Sequence, residues 1–258
     1  MNPWQFIKRL GRRNSEQIVT RLVKLAWSKF RGGNYIEARG LLLRTLEFKN
    51  EIQNPILLAW ILTTLSKTWE ETEEYQKWTE FFSDFIAQNP NQAVAYHLRG
   101  QSHWYGGSLS DAVADYSRAL ELNPTDVSAF LGRGQVFMER RDFNQAIEDL
   151  DAAIGSIDSV PGADAVWKAE FEAFARNGRA ASYAGLGDLG RALEEFGKSI
   201  DLCPENAWVY YNRAEAYQNH GDWKSAVEDY KLALAKKRPK LTSLKRARAE
   251  TALNALGR

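Results

Sequence analysis

Residues 93–126 read AVAYHLRGQSHWYGGSLSDAVADYSRALELNPTD, and residues 127–160 read VSAFLGRGQVFMERRDFNQAIEDLDAAIGSIDSV. Set one above the other, Tyr96 meets Phe130, Arg99-Gly100 meets Arg133-Gly134, Ala112 meets Ala146 and Tyr116 meets Leu150. Pro90 and Pro124, each preceded by Asn, lie 34 residues apart. Counting each such proline as position 32 of a 34-residue frame extends the pattern to 173–206, through Pro204, and to 207–240, where Pro239 falls one place late. In these four frames position 20 is always alanine (Ala112, Ala146, Ala192, Ala226). Position 24 is bulky (Tyr116, Leu150, Phe196, Tyr230), and position 11 is His103, Phe137, Tyr183 and Tyr217.

Residues three and four apart share one face of a helix, so positions 4, 8 and 11 form one stripe and 20, 24 and 27 another. Small residues at 8 and 20 let two backbones approach closely while bulky ones fill the space around them. Gly107, Gly187 and Gly221 fall at position 15, where the chain must reverse; Arg141 takes that place in 127–160. One helical pair cannot bury its apolar face alone, so neighbouring pairs must stack.

With Tyr96-x2-Arg99-Gly100, Phe130-x2-Arg133-Gly134 and Tyr210-x2-Arg213-Ala214 in the first helices, this pattern resembles the tetratricopeptide repeat. The resemblance implies an all-α fold, a right-handed α-solenoid of tandem helix-turn-helix repeats with a C-terminal capping helix. The pattern weakens upstream. Frame 19–52 keeps Leu22, Ala26, Gly33, Ala38 and Leu42, whereas frame 59–92 has Ser66 at position 8 and Trp78 at position 20. The expected order is a basic segment 1–18, two divergent repeats in 19–92, two repeats in 93–160, and an insert 161–172 that lengthens a helix. Two more repeats follow in 173–240, then a basic cap at 241–258, with Leu241, Leu244, Ala247, Ala252 and Ala255 on one face.

Two positions vary together. Position 7 is Arg99, Arg133, Arg179 and Arg213 in the four good repeats, and position 23 is Asp115, Asp149, Glu195 and Asp229. In the two upstream frames both are apolar: Leu25 with Leu41, and Leu65 with Phe81. We expect an Arg–carboxylate pair between the two helices of each good repeat.

Reactive chemistry is not expected. Gly185-Leu186-Gly187-Asp188-Leu189-Gly190 spells G-x-G-x-x-G, but a dinucleotide site needs that motif between a strand and a helix, and here it includes the turn glycine of its own repeat. His97 and His103 are six residues apart, not the four that would set two imidazoles together on a metal. The single Cys203 excludes an intramolecular disulfide and has no histidine close in sequence to activate it. No enzyme, metal or cofactor is expected. The longest nearly apolar run, 56–65, is too short to span a bilayer, which needs about 20 residues. A cytoplasmic location is the expectation.

In tetratricopeptide proteins the ligand face comes mainly from first-helix positions 2, 5, 9, 12 and 13. Carried over, the resemblance implies a groove that includes Trp60, His97, Gln101, Trp104, Tyr105, Gln135, Met138, Trp208, Tyr211 and Glu215. Aromatic residues offer contact area and amides meet a backbone, which suits an extended peptide or a partner helix. Chaperone-binding members of the family clamp a carboxylate with Lys, Asn and Arg at positions 5, 6 and 9. Here those places hold His97, Leu98 and Gln101, then Leu131, Gly132 and Gln135, so that clamp is missing.

The net charge of +1 conceals a segregation. Residues 1–13 carry +4 and residues 231–258 carry +8, which leaves −11 for residues 14–230. The leading expectation is a protein–protein adaptor. The alternatives are a subunit docked to nucleic acid or an anionic membrane through its basic ends, and a peptide-sensing regulator.

Overall fold

The computed structural model describes residues 14–49, 52, 54–236 and 242–256. The basic segment 1–13, Pro239 and the Lys/Arg residues of 237–241 lie outside the described residues. Among those described there are thirteen α-helices and no strand. They fall into two compact units, 1–124 and 125–258.

The N-terminal unit contains α1 (Asn14–Arg31), α2 (Tyr35–Leu46), α3 (Pro55–Glu70), α4 (Tyr75–Gln88), α5 (Ala93–Tyr105) and α6 (Leu109–Leu122). The C-terminal unit contains α7 (Val127–Glu139), α8 (Phe143–Ser156), α9 (Ala165–Gly185), α10 (Leu189–Leu202), α11 (Ala207–Asn219), α12 (Trp223–Ala235) and α13 (Ser243–Leu256). Within each unit the helices pair and stack as an α-solenoid does.

Sequence signals account for where the helices start and stop. Asn54, Asp126, Asp188, Asn206 and Asp222 each accept a backbone N–H of the first turn that has no partner inside the helix. Position 15 of every frame has the left-handed backbone that reverses the chain: Gly33 at φ 76°, Gly107 at 81°, Gly187 at 83° and Gly221 at 81°. Glu73 at 55° and Arg141 at 64° take the same conformation without glycine's freedom. All six frames therefore share one register.

Packing follows the frame. Ala26, Ala180 and Ala214 at position 8 and Ala38, Ala112, Ala146, Ala192 and Ala226 at position 20 are fully buried. A Cβ added to Gly100 would lie 3.3 Å from the Ala112 carbonyl oxygen, so that helix pair is tightly closed around the glycine. In the divergent repeat Trp78 and Ser66 are both buried, and Trp78 joins the core built from Leu57, Ile61, Leu65, Phe82 and Leu98.

The charged pairs form within each good repeat. Arg99 Nε and Nη2 donate to Asp115 at 2.8 and 2.7 Å, Arg133 to Asp149 at 2.8 and 2.7 Å, and Arg213 to Asp229 at 2.7 and 2.8 Å. Arg179 bonds Glu195 and also reaches Asp151 on the preceding repeat, while Arg176 adds a second cation to Glu195 at 3.1 Å. The carboxylates are buried and the arginine side chains are largely withdrawn from solvent.

Residues 165–172 extend α9 at its N-terminus, capped by Asp164. Trp167 stacks on Phe171 with centroids 4.0 Å apart, and both pack against Val127, Leu131, Leu150 and Ile157 of the preceding repeat. Phe174 remains exposed. The face that α13 buries differs from the expected one. Ala249 is buried and Lys245, Ala252 and Leu253 are partly buried, whereas Leu244 and Ala247 are exposed. The helix is rotated so that the Lys245 stem, not Leu244, meets the last repeat. No helix among the described residues is long and apolar enough to cross a membrane.

Candidate functional site

The first-helix faces carry the residues singled out for binding, and each unit has its own set. On α5, Ala95, Leu98, Gly100 and Ser102 are buried, while His97, Gln101 and Trp104 are half-buried and Tyr105 is 37% exposed. Tyr105 is the centre of an aromatic group. It stacks on Trp104 at 5.0 Å and on Tyr75 at 5.5 Å, with buried Trp78 behind at 6.0 Å. Its hydroxyl donates to Glu70 at 3.1 Å, and burial together with the Glu70 charge pushes that phenol well above its ordinary range. His97 packs against Tyr116 at 5.5 Å.

Trp60 is half-buried and belongs to a second aromatic group. It meets Trp27 edge-on at 5.7 Å; Trp27 stacks on Phe30, and Phe30 meets Tyr35. Trp27 and Phe30 were missed by the sequence reading although they occupy positions 9 and 12 of frame 19–52. Applying the ligand-face positions to that divergent frame would have found them. Tyr75 was missed because it begins a second helix, which the rule does not cover.

In the C-terminal unit, Gln135 and Met138 are half-buried, and Met138 packs against the buried cluster that includes Leu131 and Leu150. Trp208 and Glu215 are half-buried on α11, but Tyr211 is 1% exposed. Its ring meets Tyr230 edge-on at 5.8 Å, and its hydroxyl donates to Glu215 at 2.9 Å. Lys245 of α13 lies over both rings, with Nζ 4.4 Å from the Trp208 centroid and 4.5 Å from that of Tyr211.

The other candidates resolve structurally. Gly185 ends α9 under the Phe143 ring, where an added Cβ would sit 2.4 Å from Cζ. His103 Nε2 lies 3.7 Å from Asp115. The Cys203 thiol is half-buried, and burial pushes its pKa up, away from a reactive thiolate.

Comparison with known proteins agrees with this register. The tetratricopeptide repeat profile matches residues 97–164, and a second repeat profile of the same family matches residues 181–221. These two segments carry tetratricopeptide repeats. Tetratricopeptide repeat protein 36 of Bos taurus is 52% identical over 52 residues, which is 20% of this chain and 28% of that protein. The human protein of that name is 49% identical over 51 residues, 20% of this chain and 27% of that one. The chain thus spans little more than a quarter of the length of these curated relatives. Among solved structures, the anaphase-promoting-complex assembly Cut9–Hcn1 aligns with a TM-score of 0.64 at 16% identity, covering 94% of this chain and 43% of that one. The type IV pilus biogenesis factor PilW aligns at 0.61 and 16% identity, covering 77% and 90%. These structures share the fold of this tetratricopeptide repeat chain.

Proposed function

We propose that this chain is a non-enzymatic adaptor that holds an extended peptide or partner helix against the first-helix faces of its repeats. The observation that carries the reading is α5. A helix whose residues 95, 98, 100 and 102 are buried keeps His97, Gln101, Trp104 and Tyr105 at least partly open to solvent, as a ligand face requires. Stacked aromatic residues held by Glu70 are rigid contact area, which costs little entropy to use. The adaptor role is general for the family fold, and its assignment to this face rests on the chemistry of these residues.

The basic ends supply a weaker case. Of the described cations near the C-terminus, Lys236 pairs with Glu205, Arg246 with Glu250, and Lys245 lies on Trp208 and Tyr211. We place the protein in the cytoplasm, where a lone thiol such as Cys203 persists.

Capture from native lysate tests the reading, with wild type, Trp104→Ala and the outer-face control Lys224→Ala compared by mass spectrometry. The expected result is a partner retained by Lys224→Ala and lost with Trp104→Ala at unchanged helical content. Identical partners on all three baits would refute it.

A further inference from the structure

The last repeat holds a lysine in a built receptor. Trp208 and Tyr211 are three residues apart on α11, so their rings stand one turn from each other on the same face. The Lys245 ammonium sits 4.4 and 4.5 Å from the two ring centroids, within the distance at which ring quadrupoles attract a cation. It donates to Asn212 Oδ1 at 3.3 Å. The Asn212 amide is oriented in turn by donating to Asn177 Oδ1 at 3.1 Å, and Asn177 is itself buried. Tyr211 holds Glu215 by a hydrogen bond of 2.9 Å, which keeps a carboxylate at the site. Burial lowers the Lys245 pKa, while the Glu215 charge works in the opposite direction and Arg248 adds to the lowering.

The helix that delivers this lysine is otherwise lightly attached. Of the described side chains of α13, only Ala249 is fully buried, Ala252 and Leu253 are partly so, and Leu244 is 61% exposed. An alanine buries little apolar surface, so Lys245 supplies much of what fixes the helix. The occupied face is also the ligand face of this repeat, with Trp208 at position 2, Tyr211 at position 5 and Glu215 at position 9.

We propose that Trp208, Tyr211, Asn212 and Glu215 form a lysine-binding site for a partner helix of the pattern Lys-x3-Ala-x2-Ala-Leu, and that Lys245 is its occupant in cis, displaced when the partner binds. The proposal rests on the adaptor reading and extends it to a specific subsite. A ligand carried on the same chain acts at an effective concentration in the millimolar range, so the cis helix shuts out weak ligands and yields to strong ones.

The test uses the full-length 15N-labelled chain with Lys245→Met, which vacates the site and keeps an unbranched side chain. The Trp208 indole resonance is assigned with Trp208→Phe. The probe is a synthetic peptide of residues 242–256, compared with the same peptide carrying norleucine in place of its lysine. The lysine peptide is expected to shift the Trp208 resonance saturably in Lys245→Met. Binding should be at least tenfold weaker with the norleucine peptide, and at least tenfold weaker in wild type.

An unmoved Trp208 resonance, equal binding of the two peptides, or equal binding by wild type would overturn the proposal. Should Lys245→Met fail to fold, wild type labelled at lysine 13Cε decides. One Hε resonance must lie upfield from ring currents and move toward the ordinary position in Trp208→Ala; the absence of such a resonance, or its failure to move, overturns the site. Failure of these titrations, with a partner still lost on Trp104→Ala, would remove the lysine site and leave the adaptor reading in place.

Discussion

Breaking one charged pair should cost more than removing it. Arg213 and Asp229 form two parallel bonds of 2.7 and 2.8 Å, with side chains 22% and 5% exposed. Charge-assisted bonds of this kind contribute about 1.5–3 kcal/mol net, and stripping one partner from a buried pair costs about 3–5 kcal/mol. Arg213 keeps some contact with water, so Asp229→Leu is expected at or just below the lower end of that range, about 2–3 kcal/mol. Arg213→Leu strands a carboxylate with almost no solvent and should cost about 3–4 kcal/mol. The double variant replaces the pair with two apolar side chains, an arrangement the chain already uses at Leu65 and Phe81. It should lie within about 1 kcal/mol of wild type, because burying a well-packed apolar pair is often as favourable as burying an ion pair. The measurement is a double-mutant cycle by urea unfolding, followed by circular dichroism at constant m. Additive costs, with a coupling below about 0.5 kcal/mol, would show that the pair is not a unit and refute the reasoning.

Two further outcomes follow from the same geometry. Gly185→Ala places Cβ 2.4 Å from the Phe143 ring and should destabilise by about 1–3 kcal/mol, read as a lower Tm. Phe143→Leu in the same chain should recover part of that loss, and no loss would contradict the packing role given to this glycine. Bonds from Lys77, Thr72 and Arg39 lower the Glu74 pKa from 4.5 to about 2. A carboxylate with a depressed folded pKa adds stability that is full above pH 4.5 and disappears as pH falls toward 2. Because Glu74 is partly solvated the amount is at most about 1 kcal/mol, and Glu74→Gln should remove that part of the acid dependence in a pH series of urea midpoints.

The register was legible because most frames write it in the same residues: small side chains where helices touch, and a left-handed turn once per frame. Even the two turns without glycine kept it, at Glu73 and Arg141, since neighbouring helices fix the path. The arginine–carboxylate pairs were legible for a different reason, since the upstream repeats lack both members together. The aromatic face was only half legible. A ligand-face position says which way a residue points from its helix, and it cannot say what another helix lays over it. Tyr211 is the case in point, buried by a lysine 34 residues away on a helix whose face was misplaced. The four alanines of the fourteen-residue α13 fall on both its buried and its exposed sides, so its periodicity carried too little contrast to fix the rotation that Lys245 sets.

The ion pairs join the two helices of one repeat, which has a consequence for how such a chain can change length. A repeat such as 207–240 pairs Arg213 with Asp229 internally, so excising or copying that block strands no buried carboxylate and, of the described ion pairs, breaks only that of Lys236 with the exposed Glu205. Other pairs do cross between repeats: Arg179 of 173–206 bonds Asp151 on the preceding repeat, and Arg39 of 19–52 bonds Glu74 of the next. A duplication that moved 173–206 away from 127–160 would separate Arg179 from Asp151. The array is thus more easily divided at some seams than at others, and one of the tied seams is where the lengthened α9 lies.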